Sequence, residues 1–261
     1  YSSLKVAEVF RMLEAIAPGR IDMGLGRAPG SDGRTAYALN PLADSAADHF
    51  PSQVRDLLHW VRGQELVEGH PFRGVAAQPA GPSAPEPWIL GSSDYGAQVA
   101  AYFGLPFCFA AFITDGQGTA EALDAYRANF RPSPEWPAPH ASVCVWAMAA
   151  DSEAEVERQF LSRAVWRLGR DRGVYNPLPS PEAAEAHPFT DAERERVARI
   201  RSRAIAGTGP QVAARLLALA AEHGVDEIVI LTTLHDPAVR RRSYAAIAEA
   251  LIGAEVPRAA E

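Results

Sequence analysis

This chain of 261 residues has few of the features that would mark a function at first reading. It has two cysteines, Cys108 and Cys144, too few for a disulfide scaffold. Both fall in apolar, strand-like runs and read as buried thiols of a reducing compartment. Basic charge is not in excess: 25 Lys and Arg stand against 32 Asp and Glu, a formal net charge of −7. That balance argues against nucleic acid as the main partner. No run of about 18 apolar residues occurs, so no membrane span is expected. No signal-peptide pattern precedes the first helix, and the expected location is cytoplasmic. The seven histidines are scattered without metal-ligand spacing, so no metal site is expected. A Gly-x-Ser-x-Gly elbow and a phosphate-binding P-loop are both missing. No residue identifies itself as a catalytic acid, base or nucleophile.

What is present is an alternation of strands and helices. Val6, Val9, Phe10, Leu13 and Ile16 recur at helical spacing, with Lys5, Glu8, Arg11 and Glu14 on the other face. Tyr1 is no initiator methionine, and this helix opens almost at once. Pro18-Gly19 ends it. Short apolar runs at 21–26, 88–91, 106–110, 141–148 and 227–231 read as strands. A polar, Gly-rich loop is expected from 27 to about 40. Helices are expected over 42–62, 94–103, 118–130, 151–168, 191–205, 209–223 and 237–251. Residues 170–190 carry four prolines and little periodicity, and read as a connector or a lid. Such alternation predicts a parallel sheet covered by helices. Either that sheet is open and five-stranded, or it is a (β/α)8 barrel whose opening third is absent.

The most telling stretch is GRIDMGLGRAPGSD at 19–32. Glycines at a strand's end let the backbone approach a ligand closely. Arg27, just beyond, can fork two N–H groups onto a phosphate or carboxylate. A second strand end, Gly91-Ser92-Ser93-Asp94, combines hydroxyls with a helix N-terminus, where the macrodipole also favours an anion. Ser93 could equally be an ordinary cap. Gly207-Thr208-Gly209-Pro210 reads as a helix start with proline in its first turn. Trp146 and Met148 read as core. His235 reads as a polar loop residue.

These stretches, together with WILGSSDYGAQVAAYFGLPFCFA at 88–110 and GTGPQVAARLLALAAEHGVDEIVILTTLHDP at 207–237, resemble the bacterial luciferase-like flavin monooxygenases. The resemblance is greatest to the single-chain bacterial oxidoreductases of that family. It implies an α/β fold, an eight-stranded TIM (β/α)8 barrel, and a single domain over 1–261. Residues 21–26 would be its strand four and 227–231 its strand eight. Strands one to three would then lie before Tyr1, so the chain resembles a family member without its N-terminal part.

The resemblance assigns Arg27, Ser92 and Ser93 to the flavin phosphate. A hydroxyl-bearing contact of the family aligns with Gly96, and Tyr95 is the candidate replacement. Gly26 aligns beside the flavin ring, where the luciferases bear a reactive cysteine. Phe109 and Ala110 would wall the flavin cavity or simply pack. The implied cofactor is reduced FMN supplied by a separate flavin reductase, which with oxygen oxidises a small organic substrate. The alternatives are hydride transfer with a deazaflavin coenzyme, or flavin binding without turnover. A homodimer is a further expectation.

Overall fold

The computed structural model describes residues 1–28, 30, 32–39 and 49–252. The expected helix over 42–62 therefore has its opening residues outside the described ones, and is seen from Phe50 onward. The chain forms two compact units, one of residues 1–109 and 120–141 and one of residues 110–119 and 142–261.

The first unit holds α1 (Ser3–Ile16), β1 (Asp22–Leu25), α2 (Gly33–Leu39), α3 (Phe50–Val61), β2 (Glu86–Gly91) and α4 (Asp94–Phe103). It also contains most of β3 (Phe107–Ala110) and α6 (Thr119–Asn129). β1 pairs with β2 in parallel, Leu25 opposite Ile89, and β2 pairs with β3 in parallel, Gly91 opposite Phe109. Tyr126 of α6 fastens the base of this sheet. Its hydroxyl donates to the Leu105 carbonyl at 2.8 Å and accepts from the His140 amide at 3.1 Å. Burial pushes that hydroxyl up to about 12, so it stays protonated.

Two expectations fail here for physical reasons. The polar, Gly-rich loop after β1 contains α2, because Asp32 accepts from the amides of Arg34 and Thr35 and so caps a helix. More unexpectedly, α1 is turned about its axis. Its buried residues are Ala7, Arg11 and Glu14, while Val9, Leu13 and Ile16 are 48%, 41% and 76% exposed. The buried polar groups find most of their partners. Arg11 donates to the carbonyls of Pro79 and Val61, and Glu14 accepts from the Gly19 amide at 2.7 Å through Oε1, while its Oε2 is buried without a hydrogen bond among the described residues. Periodicity locates such a helix correctly but cannot show which face the rest of the fold will satisfy.

The second unit is built on β4 (Ala141–Ala149). Ser142 to Trp146 pair in parallel with β6 (Glu227–Leu231), and Ala147 to Ala149 with β5 (Ile205–Gly207). Around them lie α5 (Ala111–Thr114), α7 (Glu153–Asp171), α8 (Pro181–Glu185), α9 (Asp191–Arg203), α10 (Gly209–His223) and α11 (Pro237–Ile252). β5, α5 and α8 are additions to the five strands and eight longer helices expected from periodicity. Each has three to five residues, too few to show a period. Trp146 and Met148 do pack in the core, against Phe160 and Ile200.

Gly209 explains the Gly-Thr-Gly-Pro order at the start of α10. A Cβ there would lie 2.7 Å from the Ala246 carbonyl oxygen of α11. Thr208 takes the N-cap position, completed by its amide bonding the Gln211 side chain at 2.8 Å. Cys108 is buried and Cys144 half-buried, both as thiols.

The pairs β1–β2, β2–β3, β4–β5 and β4–β6 are parallel, as a (β/α) barrel requires. Among the described residues β1 has only β2 beside it and β6 only β4, so the barrel is not closed. No helix among them is long and apolar enough to cross a membrane.

Two measurements test these interactions. Gly104 ends α4 at φ 62°, and a Cβ there would meet the Arg131 carbonyl oxygen and lie 2.9 Å from the Ser133 Cβ. Gly104→Ala should lower unfolding free energy by about 2 kcal/mol in urea. Gly63→Ala, at φ 66° in open space, should cost about 1 kcal/mol, from backbone strain alone. Glu193 closes the capping box of α9. The Thr190 amide and then Arg172 hold its carboxyl at about 2, below the usual 4.5. A depressed carboxyl stabilises the fold above its unfolded value and loses that effect as pH falls through the folded one. Glu193→Gln should therefore flatten the acid limb of the urea midpoint between pH 4.5 and about 2.

Candidate functional site

The candidate site of the first unit forms where β1 and β2 end together. Register places Leu25 beside Ile89, so Gly26-Arg27 and Gly91-Ser92-Ser93 leave the sheet side by side. Gly26 follows directly: a Cβ on it would lie 3.4 Å from the Leu90 carbonyl oxygen. Gly24, on the same face, leaves space that the Leu90 side chain fills, since a Cβ there would come 2.8 Å from Leu90 Cδ1. Leu90 is itself 42% exposed and forms a flat apolar patch beneath the two strand ends. Alternate glycines at 24 and 26 were the available sign of this surface, but nothing in sequence ties them to Leu90.

Arg27 crosses from its strand end to the start of α4. Its guanidinium carbon lies 4.2 Å from the centre of the Tyr95 ring. Stacking engages the flat face of the guanidinium and leaves the N–H groups around its edge available. No ion pair of Arg27 is present among the described residues. Ser93 is the N-cap of α4 in extended conformation, yet its side chain makes no capping hydrogen bond. Its hydroxyl is thus exposed and unspent at a helix N-terminus, beside half-buried Ser92. Arg27, Ser92, Ser93 and Tyr95 therefore share one end of the first unit.

Gly96 has a steric role that no alignment of contacts could show. A Cβ at Gly96 would lie 3.2 Å from the Gly91 Cα, and the reverse is equally true. Backbone touches backbone, and the first turn of α4 is seated directly on the end of β2.

The two residues expected to wall a cavity separate by strand alternation. Phe109 is fully buried, 6.4 Å centre to centre from Phe107, which in turn packs at a tilt against Tyr126 of α6. It packs on the helix-covered face. Ala110, buried, points to the opposite face. In the second unit, His235 is exposed and its Nδ1 lies 3.0 Å from the Leu178 carbonyl oxygen. No group of three His, Cys, Asp or Glu among the described residues is placed to hold a metal ion.

Two glycine-lined strand ends, a helix N-terminus and an arginine present donors of a kind that suits an oxyanion, an arrangement many folds could offer. Comparison with known proteins decides the family. The model of the luciferase-like monooxygenases matches residues 1–227. The chain belongs to that family.

YwcH, an uncharacterized protein of Bacillus subtilis (strain 168), is 37% identical over 252 residues, 96% of this chain and 75% of the relative. A luciferase-like monooxygenase of Escherichia coli (strain K12) is 35% identical over 244 residues, 94% of this chain and 71% of the relative. The crystal structure of apo-MsnO8 is similar at TM-score 0.81 and 33% identity, over 97% of this chain and 74% of that one. The fold is therefore of the luciferase-like barrel type, and the enzyme class is monooxygenase.

The Gly91–Gly96 contact makes a direct prediction. Gly96→Ser, which introduces the hydroxyl that the resemblance implies at this position, should destabilise by about 1–3 kcal/mol, because its Cβ must displace α4 from β2. Thermal and urea unfolding of the variant check this.

Proposed function

We propose that this chain is a flavin-dependent monooxygenase that grips the phosphate of FMN with Arg27, Ser92 and Ser93. The observation that carries the reading is the Arg27 guanidinium stacked on Tyr95 at the N-terminus of α4, whose cap hydroxyl is left unused.

The donor set suits a phosphate dianion. Arg27 contributes a permanent positive charge and N–H groups in fixed directions. Ser93 contributes a hydroxyl, and the first amides of α4 contribute donors that no carbonyl in the helix can satisfy. Tyr95 holds the guanidinium by its face and so limits the freedom lost on binding. Gly26 lets a flat ring lie close to the strand end, over the Leu90 patch. When bound, reduced FMN supplies the activation of molecular oxygen for transfer of one oxygen atom to the organic substrate. The chain's own part is to bind, orient and exclude water. Reduced FMN comes from a separate flavin reductase in this reading.

The test compares FMN with riboflavin, which lacks the phosphate. Arg27→Ala should weaken FMN binding by about tenfold to a hundredfold and leave riboflavin nearly unchanged. Equal losses for the two ligands would remove the phosphate role. Oxygen uptake dependent on reduced FMN separates this reading from hydride transfer with a deazaflavin.

A further inference from the structure

The second unit contains a cleft of about 310 Å³ that the flavin reading does not use. Its lining comes from α5 and the turn after it, the first residue of α6, β4, α7, the end of α9, β5 and α10. Arg163 of α7 forms one wall and is only 5% exposed. Its guanidinium carbon lies 3.9 Å from the centre of the Trp146 ring. As stacking occupies the guanidinium's face, its edge needs acceptors. None is found among the described residues, either as a hydrogen bond or as an ion pair. The neighbouring carboxylate, Asp115, is engaged by Arg167 at 3.4 Å.

A buried cation without an acceptor is costly, and folds seldom keep one without use. Burial, and then the nearby Arg167 charge, pull Arg163 down to about 10, so it stays charged at neutral pH. Two more guanidiniums line the same cleft. Arg215 donates one N–H to the Ala204 carbonyl at 2.6 Å, and Arg203 has no partner among the described residues. Against these three charges stand Glu222 and Asp115, which pairs with Arg167 and also favours the charged form of Arg163. Phe112, Ile205 and Leu219 supply an apolar wall, and Thr119 and His223 complete the lining. The volume lies at the small end of ligand pockets.

We propose that this cleft binds a small organic oxyanion, its charged head on Arg163 and Arg203 and its apolar part against Phe112, Ile205 and Leu219. A carboxylate and a phosphate ester share this chemistry. The aromatic and aliphatic walls call for a body such as a phenyl ring, and a bare inorganic ion would leave them wet.

Calorimetric titration of the chain with benzoate, phenyl phosphate and benzyl alcohol tests the assignment. At least one of the two anions should bind, the tighter identifying the head group, with benzyl alcohol weaker by about tenfold or more. Arg203→Gln should weaken the anion by about tenfold with an unchanged urea midpoint. Arg163→Lys, which keeps the charge but loses the fork, should weaken it too. Arg203 is exposed, so its variant remains decisive if the Arg163 variant does not fold. Arg27→Ala should leave the affinity unchanged, which keeps this result separate from the flavin phosphate. Failure of both anions to bind, equal binding of benzyl alcohol, undiminished binding by Arg203→Gln, or loss of binding in Arg27→Ala would each overturn the proposal.

Discussion

The candidate site depends on a contact between two glycines. Gly91 ends β2, Gly96 lies in the first turn of α4, and either Cβ would come within 3.2 Å of the other's Cα. Because no side chain intervenes, the N-terminus of α4 is held at the shortest distance the backbone allows from the strand end. That distance sets where the unpaired amides and the Ser93 hydroxyl point. It also brings the Tyr95 ring to the place where Arg27 leaves β1. A close-packed interior transmits such a constraint with little slack, so a local steric requirement decides the geometry of a charged site.

Arginine is used in the same manner in both units. Arg27 lies over Tyr95 in the open, and Arg163 lies over Trp146 in the interior. In each case an aromatic ring takes the flat face and leaves the hydrogen-bonding edge directed elsewhere. A ring is well suited to this role, since it supports a cation without neutralising it. A carboxylate in its place would satisfy the guanidinium and leave no N–H group for a ligand. Asp115 shows the contrast: it pairs with Arg167, and that arginine is spent on structure.

Much of this was legible in sequence. The five longer strands were marked by short apolar runs, and their spacing allowed only parallel pairing with helical crossovers. Arg27, Ser92 and Ser93 stood out because they follow glycines at two strand ends, in stretches that carry the family resemblance. What escaped was information held by distant partners. Phe109 and Ala110 looked equivalent until the pleat set them on opposite faces. Gly96 looked like a lost contact, but its value lies in Gly91, five residues earlier. β5 was too short to show a period, and α2 was hidden in a glycine-rich segment because its cap, Asp32, was read as loop chemistry. Arg163 stood in a helix of alternating charge and apolar residues, where nothing local shows that burial will isolate it.

The inverted α1 has a consequence for behaviour in solution. Val9, Met12, Leu13 and Ile16 form an outward row of hydrocarbon, while the guanidinium and carboxylate that would ordinarily keep such a helix wetted are engaged inside. Sulfate and other strongly excluded salts act most on hydrocarbon of this kind. Such salts therefore act on this face of α1, where the polar groups that would oppose them are already committed to holding the helix in place.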